Sequence, residues 1–262
     1  MQRFSAFRIH AGHAGVETLS LDDLSPGEVT IRVQWSGINY KDALAGTGTG
    51  RILRRFPLVG GVDLAGEVIS STAAEFTPGQ RVLVTGCGLS EVRDGGYAQV
   101  ARVPAEAVVP LPASLTPRTA MAVGTAGFAA ALAITRLEHN GLAPGQGPVA
   151  VTGATGGVGM LAVDMLAARG YEVVAFSRRA QTEALLRQIG AQRVEVLRTA
   201  APAVEGGAAT LDATALSTRP LEPERWAGGI DNVGGPLLSW LLRGTRATGS
   251  VASVGLAGAA DL

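Results

Sequence analysis

The sequence predicts an α/β fold in two parts, a β-barrel half followed by a doubly wound parallel-sheet half, on three observations. Up to about Pro112 short β-type stretches are cut by Gly and Pro, whereas beyond Pro117 strand and helix signals alternate. An apolar strand also runs directly into glycines at 153, 156 and 159, where a helical pattern begins. With 262 residues, 47% of them hydrophobic, the chain is long enough for two domains, and the change of texture sets the expected boundary between 1–117 and 118–262.

In the first half, Val29 to Trp35, Glu67 to Ser70, Arg81 to Thr85 and Tyr97 to Val103 carry the β-branched and aromatic residues of strands, interrupted as a barrel requires. Thr119 to Thr135 is uncharged and closed by Arg118 and Arg136. It is nearly as long as the roughly 20 apolar residues of a membrane span. Its composition, mostly Ala and Gly, is weakly hydrophobic, so a buried core helix is expected and no membrane span. The second half reads as a strand Val149 to Thr152, a helix to about Arg169, a strand Tyr171 to Phe176 and a helix around Thr182 to Ile189, with later strands at Gly229 to Val233 and Val251 to Val254. The Ala/Gly-rich stretch Thr199 to Thr210 is expected to be a loop.

Lys plus Arg and Asp plus Glu are 22 each, so charge recruits neither nucleic acid nor an anionic membrane surface, and a small-molecule partner is expected. The single cysteine, Cys87, excludes an internal disulfide framework and any site of several thiolates. Met1 to His10 lacks a basic region followed by an apolar one, and the expected location is cytoplasmic.

In Val149-Ala-Val-Thr-Gly-Ala-Thr-Gly-Gly-Val-Gly159 each spaced glycine has its own task. Gly153 permits the tight turn, Gly156 lets a pyrophosphate approach the backbone, and Gly159 brings helix and strand together. Thr155, Gly157 and Val158 complete a turn whose N–H groups and helix dipole face phosphates. The next strand, Tyr171-Glu-Val-Val-Ala-Phe-Ser-Arg-Arg179, ends without the acidic residue that meets a free ribose 2′-hydroxyl. Ser177, Arg178 and Arg179 suit a 2′-phosphate instead, so the expected cofactor is NADPH.

Pro57-Leu-Val-Gly-Gly-Val-Asp-Leu-Ala-Gly66 resembles the signature of medium-chain dehydrogenases/reductases and their quinone-oxidoreductase relatives. Zinc-dependent members have His-Glu at Val62-Asp63 and a metal-binding Cys at Asn39. Neither Val62 nor Asn39 supplies such a ligand, and His10, His13 and His139 have no spacing that forms a site with Cys87, so no metal is expected.

Further strings resemble the acrylyl-CoA reductase branch: Asn39-Tyr-Lys-Asp42, Gly95-Gly-Tyr-Ala-Gln99, Met121-Ala-Val-Gly-Thr-Ala-Gly127, Glu224-Arg-Trp-Ala-Gly228, Asp231-Asn-Val-Gly-Gly235 and Val254-Gly-Leu-Ala-Gly258. The resemblance implies a GroES-like β-barrel domain joined to a Rossmann domain, and NADPH-dependent reduction of the α,β-double bond of a short enoyl-CoA. It also implies that the family continues for roughly 60 residues past the point matching Leu262, where the sheet is completed and a homodimer edge supplied. On that expectation the chain is C-terminally truncated.

Conjugate reduction needs a hydride at the β-carbon, stabilisation of an enolate oxygen and a proton at the α-carbon. Tyr40 matches the family position beside the nicotinamide and is the candidate for cofactor positioning and donation. Asn39 is a candidate partner of either the thioester carbonyl or the cofactor carboxamide, and Asp42 is either catalytic or the N-cap of a short helix. Thr125 is expected to approach the nicotinamide or simply to pack, in a helix crossing between domains. Arg219 matches an NADP-binding position of the branch. Asn232 ends a strand where such sheets place ligands, and Leu256 is expected over the nicotinamide. Arg51, Arg54 and Arg55 are candidates for a CoA phosphate. Rival readings are a quinone or enone acceptor, and a non-catalytic NADPH-binding protein or inactive fragment.

Overall fold

The structure, a computed structural model, describes residues 3–197 and 222–258. Arg219 and the expected loop Thr199 to Thr210 lie outside the described residues. The chain divides into two compact units, Met1–Thr125 and Ala126–Leu262. The division falls later than the change of texture at 117/118 because the helical turn that starts at Pro117 groups with the first unit, up to a break in the helix at Gly124.

The first unit contains β1 (Phe4–Ile9), β2 (Ala14–Leu19), β3 (Val29–Trp35), α1 (Tyr40–Thr47), β4 (Leu58–Val59), β5 (Asp63–Ser71), β6 (Arg81–Thr85), β7 (Val100–Val103) and β8 (Val109–Pro110). They form a three-stranded sheet, β2-β1-β4, and a five-stranded sheet, β7-β3-β5-β6-β8, each antiparallel. Alternating residues Val29, Ile31, Leu64, Val68, Val82 and Val84 point into one core. Two strands differ from the sequence expectation. β5 starts earlier, at Asp63, because its glycine and acidic residues hide a strand pattern. β7 starts later, because the backbone of Tyr97 pairs outward, its N–H with the Gly60 carbonyl and its carbonyl with the Phe7 N–H.

Helix α2 (Pro117–His139) is interrupted at Gly124, whose φ of 46° and ψ of −154° are not helical. By length and composition α2 qualifies to cross a membrane. The segment after the break is nevertheless only about 22 Å long at 1.5 Å per residue, short of the roughly 30 Å hydrocarbon core. The expectation of a buried helix is corrected to a half-buried one. Ala130, Ile134 and Leu137 enter the core of the second unit, while Phe128 and Leu132 face outward.

The second unit continues with β9 (Val149–Val151), α3 (Gly157–Ala168), β10 (Val173–Ser177), α4 (Glu183–Gln188), β11 (Arg193–Val196), β12 (Trp226–Asp231), α5 (Gly235–Gly244) and β13 (Thr245–Ser253). Its described strands form one parallel sheet in the order β11-β10-β9-β12-β13. Because side chains alternate along a strand, Val149, Val151, Val173 and Ala175 pack with α2, α3 and α4. Ala150, Val174 and Phe176 pack on the other face with Leu237, Trp240 and Leu241 of α5. Both faces are therefore covered, which is the doubly wound arrangement.

Candidate functional site

In the first unit the segment Asn39-Tyr40-Lys41-Asp42 opens helix α1. Asn39 is its N-cap, and Asp42 closes a capping box by accepting the Asn39 backbone N–H at 2.9 Å. The expectation that Asp42 is the cap is thus corrected: it is the third helical residue, reaching back to the cap. Asp42 is buried, and its other oxygen accepts the Val62 N–H at 3.0 Å.

The Asn39 side-chain amide donates to Asp63 Oδ2 at 2.8 Å and to Asp42 Oδ2 at 3.3 Å. Two carboxylates, both acceptors, fix the amide's orientation and engage both its N–H bonds, and its oxygen, turned to the Asp42 N–H in the capping box, keeps a further lone pair to accept with. Asp63, only 1% exposed, also takes the Thr125 backbone N–H at 3.1 Å and the Thr125 hydroxyl. Room for this carboxylate exists because residue 124 is glycine, whose added Cβ would lie 2.9 Å from Asp63 Oδ2.

The half-buried Tyr97 donates its phenol to the Gly37 carbonyl at 3.0 Å. Burial above all, and then the negative Asp42 and Asp63, push its ionisation up. Burial pulls the Lys41 ammonium down, with Arg54 adding to that and Asp42 opposing it, and Lys41 pairs with Glu91. Tyr40, the first residue of α1, is 66% exposed. Asp63 and Tyr97 are not singled out by sequence reasoning. Their signal is an acid at the start of an apolar strand and a tyrosine behind two glycines.

In the second unit the ends of β9 and β12 are tied together. The Thr152 hydroxyl donates to Asp231 Oδ1 at 2.6 Å and accepts the Asn232 N–H at 3.0 Å. The Asn232 amide donates to the Thr152 carbonyl at 2.8 Å, and its oxygen is buried without a partner among the described residues. Asp231 Oδ2 accepts the Gly234 N–H at 2.7 Å.

Gly153 turns the chain with φ +56°, and a Cβ on Gly159 would stand 2.3 Å from the Gly153 oxygen, so helix and strand meet only across a glycine. Gly156 is the N-cap of α3 and no side chain caps the helix, which leaves the N–H groups of Gly157, Val158 and Gly159 to an outside acceptor. Gly156 and Gly157 are exposed beside the half-buried Thr155. An uncapped helix start, a cradle free of side chains and an orphaned Asn232 oxygen fit a dinucleotide.

Ser177 is 3% exposed, and its hydroxyl accepts the Arg179 N–H at 3.0 Å and meets the Thr182 hydroxyl at 3.0 Å. These bonds build a turn in which Ser177 presents the exposed Arg178 and Arg179. Leu256 is 61% exposed, following N–H groups of Val254 and Gly255 that bond the Asp231 carbonyl at 2.8 and 3.2 Å.

Residues 25–113 match the alcohol dehydrogenase GroES-like domain. The chain is 46% identical over 249 residues to the acrylyl-CoA reductase AcuI of Ruegeria pomeroyi, covering 95% of this chain and 72% of that protein. The crystal structure of Escherichia coli K-12 YhdH with bound NADPH matches with a TM-score of 0.89 and 42% identity, over 98% of this chain and 76% of that one. Bacillus subtilis YhfP with NAD bound matches with a TM-score of 0.87 and 40% identity, over 100% and 77%. With this GroES-like match, this parallel sheet and these relatives, the chain belongs to the quinone-oxidoreductase-like branch of the medium-chain dehydrogenase/reductase superfamily.

Proposed function

We propose that the chain is a zinc-independent reductase that uses NADPH to reduce the α,β-double bond of a short enoyl-CoA, such as acryloyl-CoA to propanoyl-CoA. The observation that carries this reading is the Asn39 amide. It offers an oxygen acceptor, held between two carboxylates, where zinc-dependent members place a thiolate. The choice of a thioester rests on similarity to the Ruegeria pomeroyi acrylyl-CoA reductase, and the choice of NADPH on Arg178 and Arg179 together with the NADPH-bound Escherichia coli relative.

When bound, NADPH supplies a hydride to the β-carbon of the substrate. The N–H groups of Gly157, Val158 and Gly159, beside Thr155, would hold its pyrophosphate at the turn that Gly153 opens and the Gly156 N–H closes onto the Gly153 carbonyl, and Arg178 and Arg179 would pair with its 2′-phosphate. Asn39, with both N–H bonds engaged, cannot polarise a thioester carbonyl. In the first unit its oxygen would be the acceptor for a carboxamide N–H of the cofactor. In the second unit the Asn232 oxygen, unpartnered among the described residues, and the exposed Leu256 would serve the dinucleotide. Thr125 and Asp42 act as positioning groups, since each is bonded to the Asn39–Asp63 cluster. The exposed Tyr40 phenol donates a hydrogen bond to the enolate oxygen and orients the substrate. Arg51 and Arg54 are exposed for a CoA phosphate, whereas Arg55 is engaged by Ser25 and the Val92 carbonyl.

NADPH consumption followed with acryloyl-CoA, crotonoyl-CoA and a benzoquinone tests the reading. Turnover of the thioesters, unaffected by a zinc chelator and lowered about tenfold or more in Tyr40→Phe, is expected. Consumption with the quinone alone would make the chain a quinone reductase. NADPH binding without consumption of any acceptor would make it a non-catalytic binder.

A further inference from the structure

We propose that the β1–β2 hairpin binds one divalent transition-metal ion, of the zinc or nickel class, on His10, His13 and Glu17. These residues belong to no part of the Asp63 cluster, and the sequence reading assigned no metal to them.

The hairpin register brings them together. Ile9 pairs with Ala14 and Ala6 with Glu17 in an antiparallel ladder, so His10 and Arg8 share one face with His13, Gly15 and Glu17. Nothing stands within 4 Å of the Cβ that Gly15 lacks, which leaves Glu17 a clear path toward the turn. The turn is tight: the His10 N–H bonds the His13 carbonyl at 2.8 Å, and Gly12 takes φ +105°. The two imidazoles lie parallel, 4.4 Å apart at 6°, and His10 Nε2 is 2.6 Å from Glu17 Oε1.

One nitrogen from each histidine and a Glu17 oxygen all lie within 4.8 Å of one another. Around zinc, donors at about 2.0–2.2 Å from the ion stand roughly 3.4 Å apart, so turning the exposed His13 and half-exposed His10 rings out of their parallel stack brings their in-plane lone pairs onto one ion with Glu17. Two imidazoles and one carboxylate select a borderline metal over calcium or magnesium, which prefer all-oxygen shells. A fourth position is left for water. Arg8 approaches Glu17 Oε2 at 3.8 Å, so its guanidinium sits on the oxygen that the ion does not need.

The structural alternative is a plain His10–Glu17 ion pair with His13 stacked on it, and calorimetric titration of the metal-stripped full chain with Zn2+ and then Ni2+ separates the two. Saturable binding of one equivalent is expected, weakened at least about tenfold in His13→Ala and in Glu17→Gln and unchanged in Cys87→Ser and His139→Ala. The visible spectrum of the Co2+-loaded wild-type chain provides a readout independent of any variant's folding. It should show imidazole and carboxylate ligation without a thiolate charge-transfer band. Absence of saturable binding, binding that survives His13→Ala, or a thiolate band would overturn the proposal.

Discussion

Asp63 is a buried carboxylate that accepts from Asn39 and twice from Thr125, and it thereby fixes the amide presented beside Tyr40. Replacing it by alanine leaves half-buried donors without acceptors. Asp63→Ala should therefore lower stability by about 2–3 kcal/mol in urea unfolding, against less than about 0.5 kcal/mol for the exposed Tyr40→Phe. Tyr97 gives a pH test. Its folded phenol ionises above the ordinary value of 10.0, so its contribution to stability is present below pH 10 and is lost as the pH rises through its folded value. Stability should fall on alkaline titration, and less steeply in Tyr97→Phe. Some slope should remain, because burial and Glu138 raise Tyr171 as well. The contact of Asn39 with Asp42 was legible in the sequence because the two are three residues apart at a helix start. The parts of Asp63, Tyr97 and Thr125 were not, since a carboxylate's partners come from segments far apart in the chain and leave no spacing to read.

At the scale of elements, the β9–α3 turn was legible because strand, glycines and helix follow one another directly, and its glycines separate folding from binding. A Cβ at Gly159 would meet backbone at 2.3 Å, whereas one at Gly156 would stand 3.3 Å from the nearest atom, the Gly153 oxygen. Gly159→Ala should cost about 1–3 kcal/mol of stability as overpacking. Gly156→Ala should keep a near-native melting temperature but bind NADPH about tenfold more weakly, because its methyl occupies the phosphate approach. The end of β10 was legible in charge but not in detail, since the Ser177 hydroxyl turns back onto Arg179. Removing Arg178 and Arg179 together, by alanine, should weaken NADPH at least about tenfold in fluorescence titration while leaving NADH within about twofold. The break in α2 was also hidden, because Gly124 sits among residues that otherwise read as continuous helix.

At the scale of the molecule, each unit provides one part of the proposed chemistry: the first a polar cluster with an exposed phenol, the second a phosphate-binding turn with two arginines. Equal numbers of acidic and basic residues, 22 each, leave recognition to these local groups rather than to a long-range field. The central claim is conjugate reduction of an enoyl thioester, and isotope placement tests it most directly. Acryloyl-CoA is reduced in ordinary water with NADPH deuterated at both positions of nicotinamide C4, and the product is read by mass spectrometry and NMR. The expected result is propanoyl-CoA with a single deuterium on the β-carbon and none on the α-carbon. Deuterium on the α-carbon, or product without deuterium, would contradict it.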